Sequence, residues 1–166
     1  MTWRLIKLQI LVGLFTLGSC ASGPDGLAPL RDVRPDPELS PQEVVEIQLR
    51  AFGNNNATDE GIEIAFRFAS PSNRAQTGPL ERFAAMLKAP AYAVMLDHDR
   101  AEFAPLAMRE GVAVQRVALY ADDAVVVYDF YLRRQVMSPY EECWMTEGVF
   151  VRAAGQENGT DLTVSF

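Results

Sequence analysis

Asp129 sits in the run Val125-Val126-Val127-Tyr128-Asp129-Phe130-Tyr131, an acid among apolar and aromatic side chains. Desolvation in such a run raises a carboxyl pKa and would make the group a general base or a neutral hydrogen-bond donor. Strand alternation sorts the run into two faces, with Asp129 beside Val125, Val127, Tyr131 and Arg133, and the greasier Tyr128, Phe130 and Leu132 opposite. The competing reading is an ion pair on a half-exposed sheet face, Asp129 facing a cross-strand arginine such as Arg116. His98, the single histidine, lies in Asp97-His98-Asp99 and is the second catalytic candidate, as a metal ligand or half of an acid–base dyad. If that segment is extended, both aspartates share one face and His98 points to the other. Zinc wants three or four converging ligands, and the chain offers no second histidine. The expectation is a hydrogen-bonded histidine at the entrance to a sheet, with no metal and no cofactor.

Asn73, Arg74 and Arg82 bracket a junction between helices. An arginine there can clamp a carboxylate or phosphate through two parallel hydrogen bonds, and Arg82 is the ligand-binding candidate on that ground. The alternative is that these side chains satisfy loop carbonyls and helix ends. Tyr128, Phe130 and Trp144 are the aromatic candidates for lining a ligand cavity. Cys143 has no base near it in sequence and reads as a small core residue. There is no Gly-x-Ser-x-Gly elbow, no phosphate-binding glycine loop and no dinucleotide fingerprint. A net charge of −7 with scattered acids argues against a nucleic-acid partner, which needs a clustered cationic face.

These residues must be positioned by a chain of 166 residues, 49% of them apolar, enough for one domain with its own core. Residues 1–19 read as a secretory signal: Arg4 and Lys7, an apolar run over 8–17, then Leu17-Gly18-Ser19-Cys20. That run is too short to cross a bilayer. Its end looks like a bacterial lipobox, in which Cys20 is diacylated and anchors the chain in the cell envelope, facing the periplasm. The alternative is ordinary cleavage and secretion. Residues 20–39, with Pro24, Pro29, Pro35 and Pro37, read as the lipidated cysteine and a disordered or extended tether.

The folded domain is expected over 40–152. Ser40-Pro41-Gln42-Glu43 is a capping box, followed by Val44, Val45, Gln48, Leu49 and Phe52 at helical spacing and a stop at Gly53. A second helix is expected over 59–69, ended by Pro71. A turn over 72–74 follows, and a third helix opens at Thr77-Gly78-Pro79. Beyond Pro90 the period shifts to 2, giving strands near 100–108, 112–120, 124–135 and 143–152, with hairpin turns at 109–111 and 121–123. The predicted class is α+β, three N-terminal helices packed on a curved antiparallel sheet of about four strands. Residues 153–166 read as a flexible tail or a last edge strand.

Helices first and an antiparallel sheet second resembles the nuclear-transport-factor-2-like, ketosteroid-isomerase-like cone. More specifically, the chain resembles a family of uncharacterised small proteins classed as a domain of unknown function. The residues that carry this are Gly61-Ile62, Ala65-Phe66-Arg67-Phe68-Ala69-Ser70-Pro71, Asn73-Arg74, Thr77-Gly78-Pro79-Leu80-Glu81-Arg82-Phe83, Pro139-Tyr140-Glu141 and Cys143-Trp144-Met145-Thr146. The family supplies no chemistry to carry over, and the superfamily contains both enzymes and binding domains. The expected role is binding of a small apolar ligand or of another envelope protein. The alternative implied by the superfamily is an isomerase-type enzyme with Asp129 as acid–base group.

Overall fold

The Ser40 capping box forms as its spacing requires. Ser40 Oγ accepts the Glu43 N–H at 3.3 Å, and Glu43 Oε2 accepts the Ser40 N–H at 2.8 Å. It opens α1 (Pro41–Gly53), whose Val44, Val45, Gln48, Leu49 and Phe52 are buried. Asn54 closes the helix, donating its side-chain N–H to the Arg50 carbonyl at 2.8 Å. The computed structural model describes residues 25–122 and 124–152; the expected signal, Cys20 and the expected tail from residue 153 lie outside the described residues.

Helix α2 (Glu60–Phe66) packs across α1 at Gly61, where a Cβ would collide with the Ala51 carbonyl oxygen. It stops short of the expected 59–69 because the backbone beyond it is claimed by a strand. The Phe68 carbonyl accepts the Thr146 N–H at 2.8 Å, and the Ser70 N–H donates to the Thr146 carbonyl at 2.9 Å. The expected turn over 72–74 is instead a helix, α3 (Pro71–Thr77), capped by Ser70 Oγ accepting the Asn73 N–H at 3.0 Å. Pro71 both ends one helix and takes the first position of the next, where its missing N–H costs nothing. Helix α4 (Leu80–Leu87) is the expected third helix, so there are four α-helices among the described residues.

The sheet is antiparallel and runs β1-β3-β4-β5, with β2 also paired to β3. The single strand expected over 100–108 is two, β1 (Arg100–Phe103) and β2 (Ala107–Arg109), on successive stretches of one edge of β3 (Val112–Ala121). Pro105 lies in the break and has no N–H to give the ladder. Strand β4 (Ala124–Arg134) pairs with β3 and with β5 (Trp144–Val151). Its Tyr128, Phe130 and Leu132 face the helices and are fully buried, as alternation requires.

The largest departure from expectation is at the N-terminal side. Residues 25–39 pack on the domain instead of forming a loose tether, with a 3₁₀ turn at Ala28–Leu30 and Leu27 and Leu30 each 2% exposed within the core. A proline-rich stretch lacks helical or strand periodicity whether or not it docks, so its two anchoring leucines went unseen. Arg31 fastens the segment: its Nε donates to Glu60 Oε1 and its Nη2 to Asp25 Oδ2, both at 2.6 Å, while its carbonyl accepts Arg67 Nη1 at 2.7 Å.

Replacing Leu30 by Ala in the whole chain should lower the unfolding free energy by about 2–5 kcal/mol, read from urea denaturation. A loss under about 0.5 kcal/mol would match an exposed site and show the segment undocked. The Arg31 clasp also makes stability depend on pH. The Leu27 N–H and then Arg31 hold the Asp25 carboxyl below its ordinary 3.8, and Arg31 holds Glu60 below its ordinary 4.5. Depressed folded values mean a contribution that is complete above the unfolded pKa and lost as pH falls through the folded one. Arg31→Gln should therefore be less stable than the parent at neutral pH, with the gap beginning to close below pH 4.5. A gap independent of pH would contradict this.

Candidate functional site

Between the helices and strand β5 lies a cavity of about 200 Å³. Phe52 from α1, Phe83 and Leu87 from α4, Met95, and Phe130 and Val149 from the sheet form its apolar wall. Amphipathic α1 and α4 supply one side because their stripes face the sheet, and alternation in β4 supplies Phe130. Phe83 stacks obliquely on Phe66, with ring centroids 4.7 Å apart, which fixes that corner.

Gln48, Thr146, Asn73 and Thr77, all in the cavity wall, form one chain of hydrogen bonds. Thr146 Oγ1 donates to Gln48 Oε1 at 2.8 Å, and Gln48 Nε2 donates to the Ala65 carbonyl at 3.2 Å. Asn73 Nδ2 donates to the Thr146 carbonyl at 3.0 Å, and its Oδ1 accepts Thr77 Oγ1 at 3.0 Å. Tyr92, which also lines the cavity, donates its hydroxyl to the Val149 carbonyl at 3.2 Å. Groups paired in this way are already satisfied and offer a ligand little hydrogen bonding from the interior. What remains is an apolar volume larger than the ~150 Å³ known to accept benzene.

Of the aromatic candidates, Phe130 lines the cavity, whereas Tyr128 and Trp144 do not. Tyr128 stacks on Tyr92 and donates its hydroxyl to the Ala91 carbonyl at 3.0 Å. Burial, and secondarily Tyr92, pushes that hydroxyl up to about 12, so it keeps its proton at neutral pH. Arg82 is exposed on α4 and is absent from the wall. Arg74 reaches its own chain instead, donating to the Arg67 carbonyl and to the Tyr140 hydroxyl, its guanidinium set near the rings of Phe66 and Tyr140. Asn73 and Arg74 thus satisfy backbone carbonyls, of strand β5 and of the end of α2, which is nearer the second of the two roles open to them.

Asp129 lies on the sheet face away from the cavity. It is 7% exposed, and its oxygens accept Arg116 Nε at 2.7 Å, Arg116 Nη2 at 3.2 Å and Arg152 Nη1 at 3.1 Å. The cross-strand pairing to Arg116 follows the register Arg116↔Asp129. Asp129 is not among the residues that line the cavity, and its carboxylate is engaged by two arginines. His98 stands in a bend before β1, not in a strand, with Nδ1 2.9 Å from the Met95 carbonyl and its ring against Gly53. Among the described residues no group of three His, Cys, Asp or Glu side chains could hold a metal ion. Cys143 is 3% exposed, and burial, then the charge of Asp36, raises its thiol pKa.

Sequence reasoning missed Gln48, Thr146 and Glu147 as cavity residues. Gln48 carried a signal, an amide in the middle of an apolar helical stripe. Glu147 carried none, because its place depends on a break in strand register. Among the described residues no helix is long and apolar enough to cross a membrane.

Comparison with curated proteins and with solved structures gives no significant match. The profile of the family described as "Domain of unknown function (DUF4864)" matches residues 36–159, well over half of the chain. The protein therefore belongs to the DUF4864 family.

Proposed function

We propose that this protein is a lipid-anchored bacterial envelope protein whose domain binds a small apolar ligand in the cavity between α1, α4 and β5. The observation that carries the binding reading is the cavity itself: apolar walls, with Gln48, Thr146 and Asn73 already held in one hydrogen-bonded chain. Burial of apolar ligand surface then supplies the affinity. The isomerase-type alternative gains no support, since its acid, Asp129, lies outside that cavity between two arginines. Helices laid on one face of an antiparallel sheet support placing the domain with the nuclear-transport-factor-2-like cones.

The envelope reading rests on the first twenty residues. If Cys20 carries the lipid, residues 21–24 lie between it and Asp25, whose carboxylate is held by Arg31. At about 3.5 Å per residue that leash would hold the domain close to the bilayer surface, not at the end of a long tether. Cys20→Ala should move the protein from the membrane fraction to the soluble fraction; an unmodified mature terminus beginning at Ser22 would refute the anchor.

Binding is tested by thermal denaturation with short alkanols and small aromatic compounds. A ligand at a hundred times its Kd should stabilise the native state by ~2.7 kcal/mol. Val149→Trp, which fills the cavity from the edge strand, should abolish the shift while leaving the circular dichroism spectrum unchanged. If no compound shifts the parent, a protein partner replaces the small ligand as the favoured reading.

A further inference from the structure

Strand β5 ends the order of the sheet, so one of its edges has no full strand beside it among the described residues. Near its start Thr146 is paired with Phe68 and Ser70, and further on the Val149 carbonyl accepts the Tyr92 hydroxyl at 3.2 Å. Beyond Val149 no described strand lies on that edge. Val151 stands opposite Tyr128, on the helix-facing side of the sheet, yet it is 39% exposed where Tyr128 is fully buried. An open edge with an apolar side chain on its core face is a template for another strand.

The ladder fixes the phase of that edge. A bulge at Glu147 separates the pair Leu132↔Thr146 from the pair Tyr131↔Gly148. After it, the Arg152 N–H donates to the Val127 carbonyl at 2.9 Å, so the even-numbered residues turn their backbone groups towards β4. The odd-numbered Val149 and Val151 turn theirs outward, in keeping with the Tyr92 bond to the Val149 carbonyl. A strand added here must bond to odd positions and bring apolar side chains to the side that Val149 and Val151 share.

We propose that residues 160–166 of this chain are that strand, folded back along β5 through a two-residue turn at Asn158-Gly159. Asn-Gly suits such a turn because both of its central positions need a positive φ. The turn makes Glu157 and Thr160 the hydrogen-bonded closing pair, and the register then runs through Ala153 opposite Val164 to Val151 opposite Phe166. Odd positions thus fall in hydrogen-bonded pairs, the phase that the edge presents. Moving the turn by one residue would close it on an even position, whose backbone groups face β4. The same register puts Leu162, Val164 and Phe166 on the helix-facing side and Asp161, Thr163 and Ser165 on the other. Phe166 covers Val151 and stands diagonal to Val149, a separation that an aromatic ring spans, so the added strand flanks the cavity wall. Val151 is also the last outward-turned position before the one that Tyr92 occupies.

The test uses the whole chain and amide hydrogen exchange followed by NMR. In the parent the Val151 and Ala153 N–H groups should exchange at least about tenfold more slowly than in Val164→Pro, which removes a ladder donor from the added strand. The Arg152 N–H, bonded to Val127 within the domain, should change far less and serves as the reference. Equal exchange at Val151 in parent and variant would overturn the proposal. So would protection that rises with protein concentration, which would give the edge to a second copy of the chain. A second measurement does not depend on the folding of Val164→Pro. In a Cys20→Ala background, Ala154→Cys with Thr163→Cys, opposite each other on one face, should close a disulfide at least about tenfold faster than Ala154→Cys with Leu162→Cys, which the register sets on opposite faces. Equal rates for the two pairs would overturn the register.

Discussion

Thr146 uses every hydrogen-bonding group it has to join the two layers of the fold. Its N–H goes to the Phe68 carbonyl, its carbonyl accepts both the Ser70 N–H and Asn73 Nδ2, and its hydroxyl donates to Gln48. At 1% exposure none of these can be exchanged for water without opening the domain. The nearest of these partners in the chain, Asn73, is 73 residues from Thr146. Helix α2 ends where it does, α3 begins where it does and β5 has a covered edge because of this one residue. The cavity lies beside this tie, with Thr146 and Gln48 in its wall together with Phe52, Phe83 and Phe130.

The two faces of the sheet solve opposite problems. Towards the helices, Tyr128, Phe130 and Leu132 meet apolar side chains and need no partner beyond a hydroxyl acceptor. On the other face Asp129 ties β4 to Arg116 of β3 and to Arg152 at the end of β5, spanning the middle of the sheet. Such a network is weak evidence for net stability, but losing one partner leaves a charge nearly buried and unpaired, which is costly. Tyr131 and Phe150 flank it with rings edge to face at 5.4 Å. The acid that looked most chemical is therefore a strut, with its electrostatic demand met inside the sheet.

Local patterns were readable where one element decided its own conformation. The Ser40 box, the stripe of α1 and the two faces of β4 all follow from spacing. The outcome for Asp129 was readable too as one of two alternatives, since Arg116 sits opposite it in register. What could not be read depended on distant partners. Residues 25–39 dock through Leu27 and Leu30 without any periodicity, and α2 gives up its last turn to a strand far along the chain. Pro71 is equally good as a stop or as a start, and only the Ser70 cap distinguishes them. For the cavity, Phe130 was visible from alternation, but Tyr128 and Trp144 were misplaced because burial alone does not say which void a side chain borders.

The bulge at Glu147 has a consequence for how the chain can change. With the extra residue deleted, Thr146 and Val149 would stand two apart, which regular alternation puts on one face, and the pairs Leu132 with Thr146 and Tyr131 with Gly148 would become neighbours in an unbroken ladder. The ties from Thr146 to Gln48 and Asn73 and the place of Val149 in the cavity wall would both be kept. What would go is the local bend that a bulge puts into its strand. The register of β5 against β4 thus tolerates the loss of this residue, while the curvature of the strand does not.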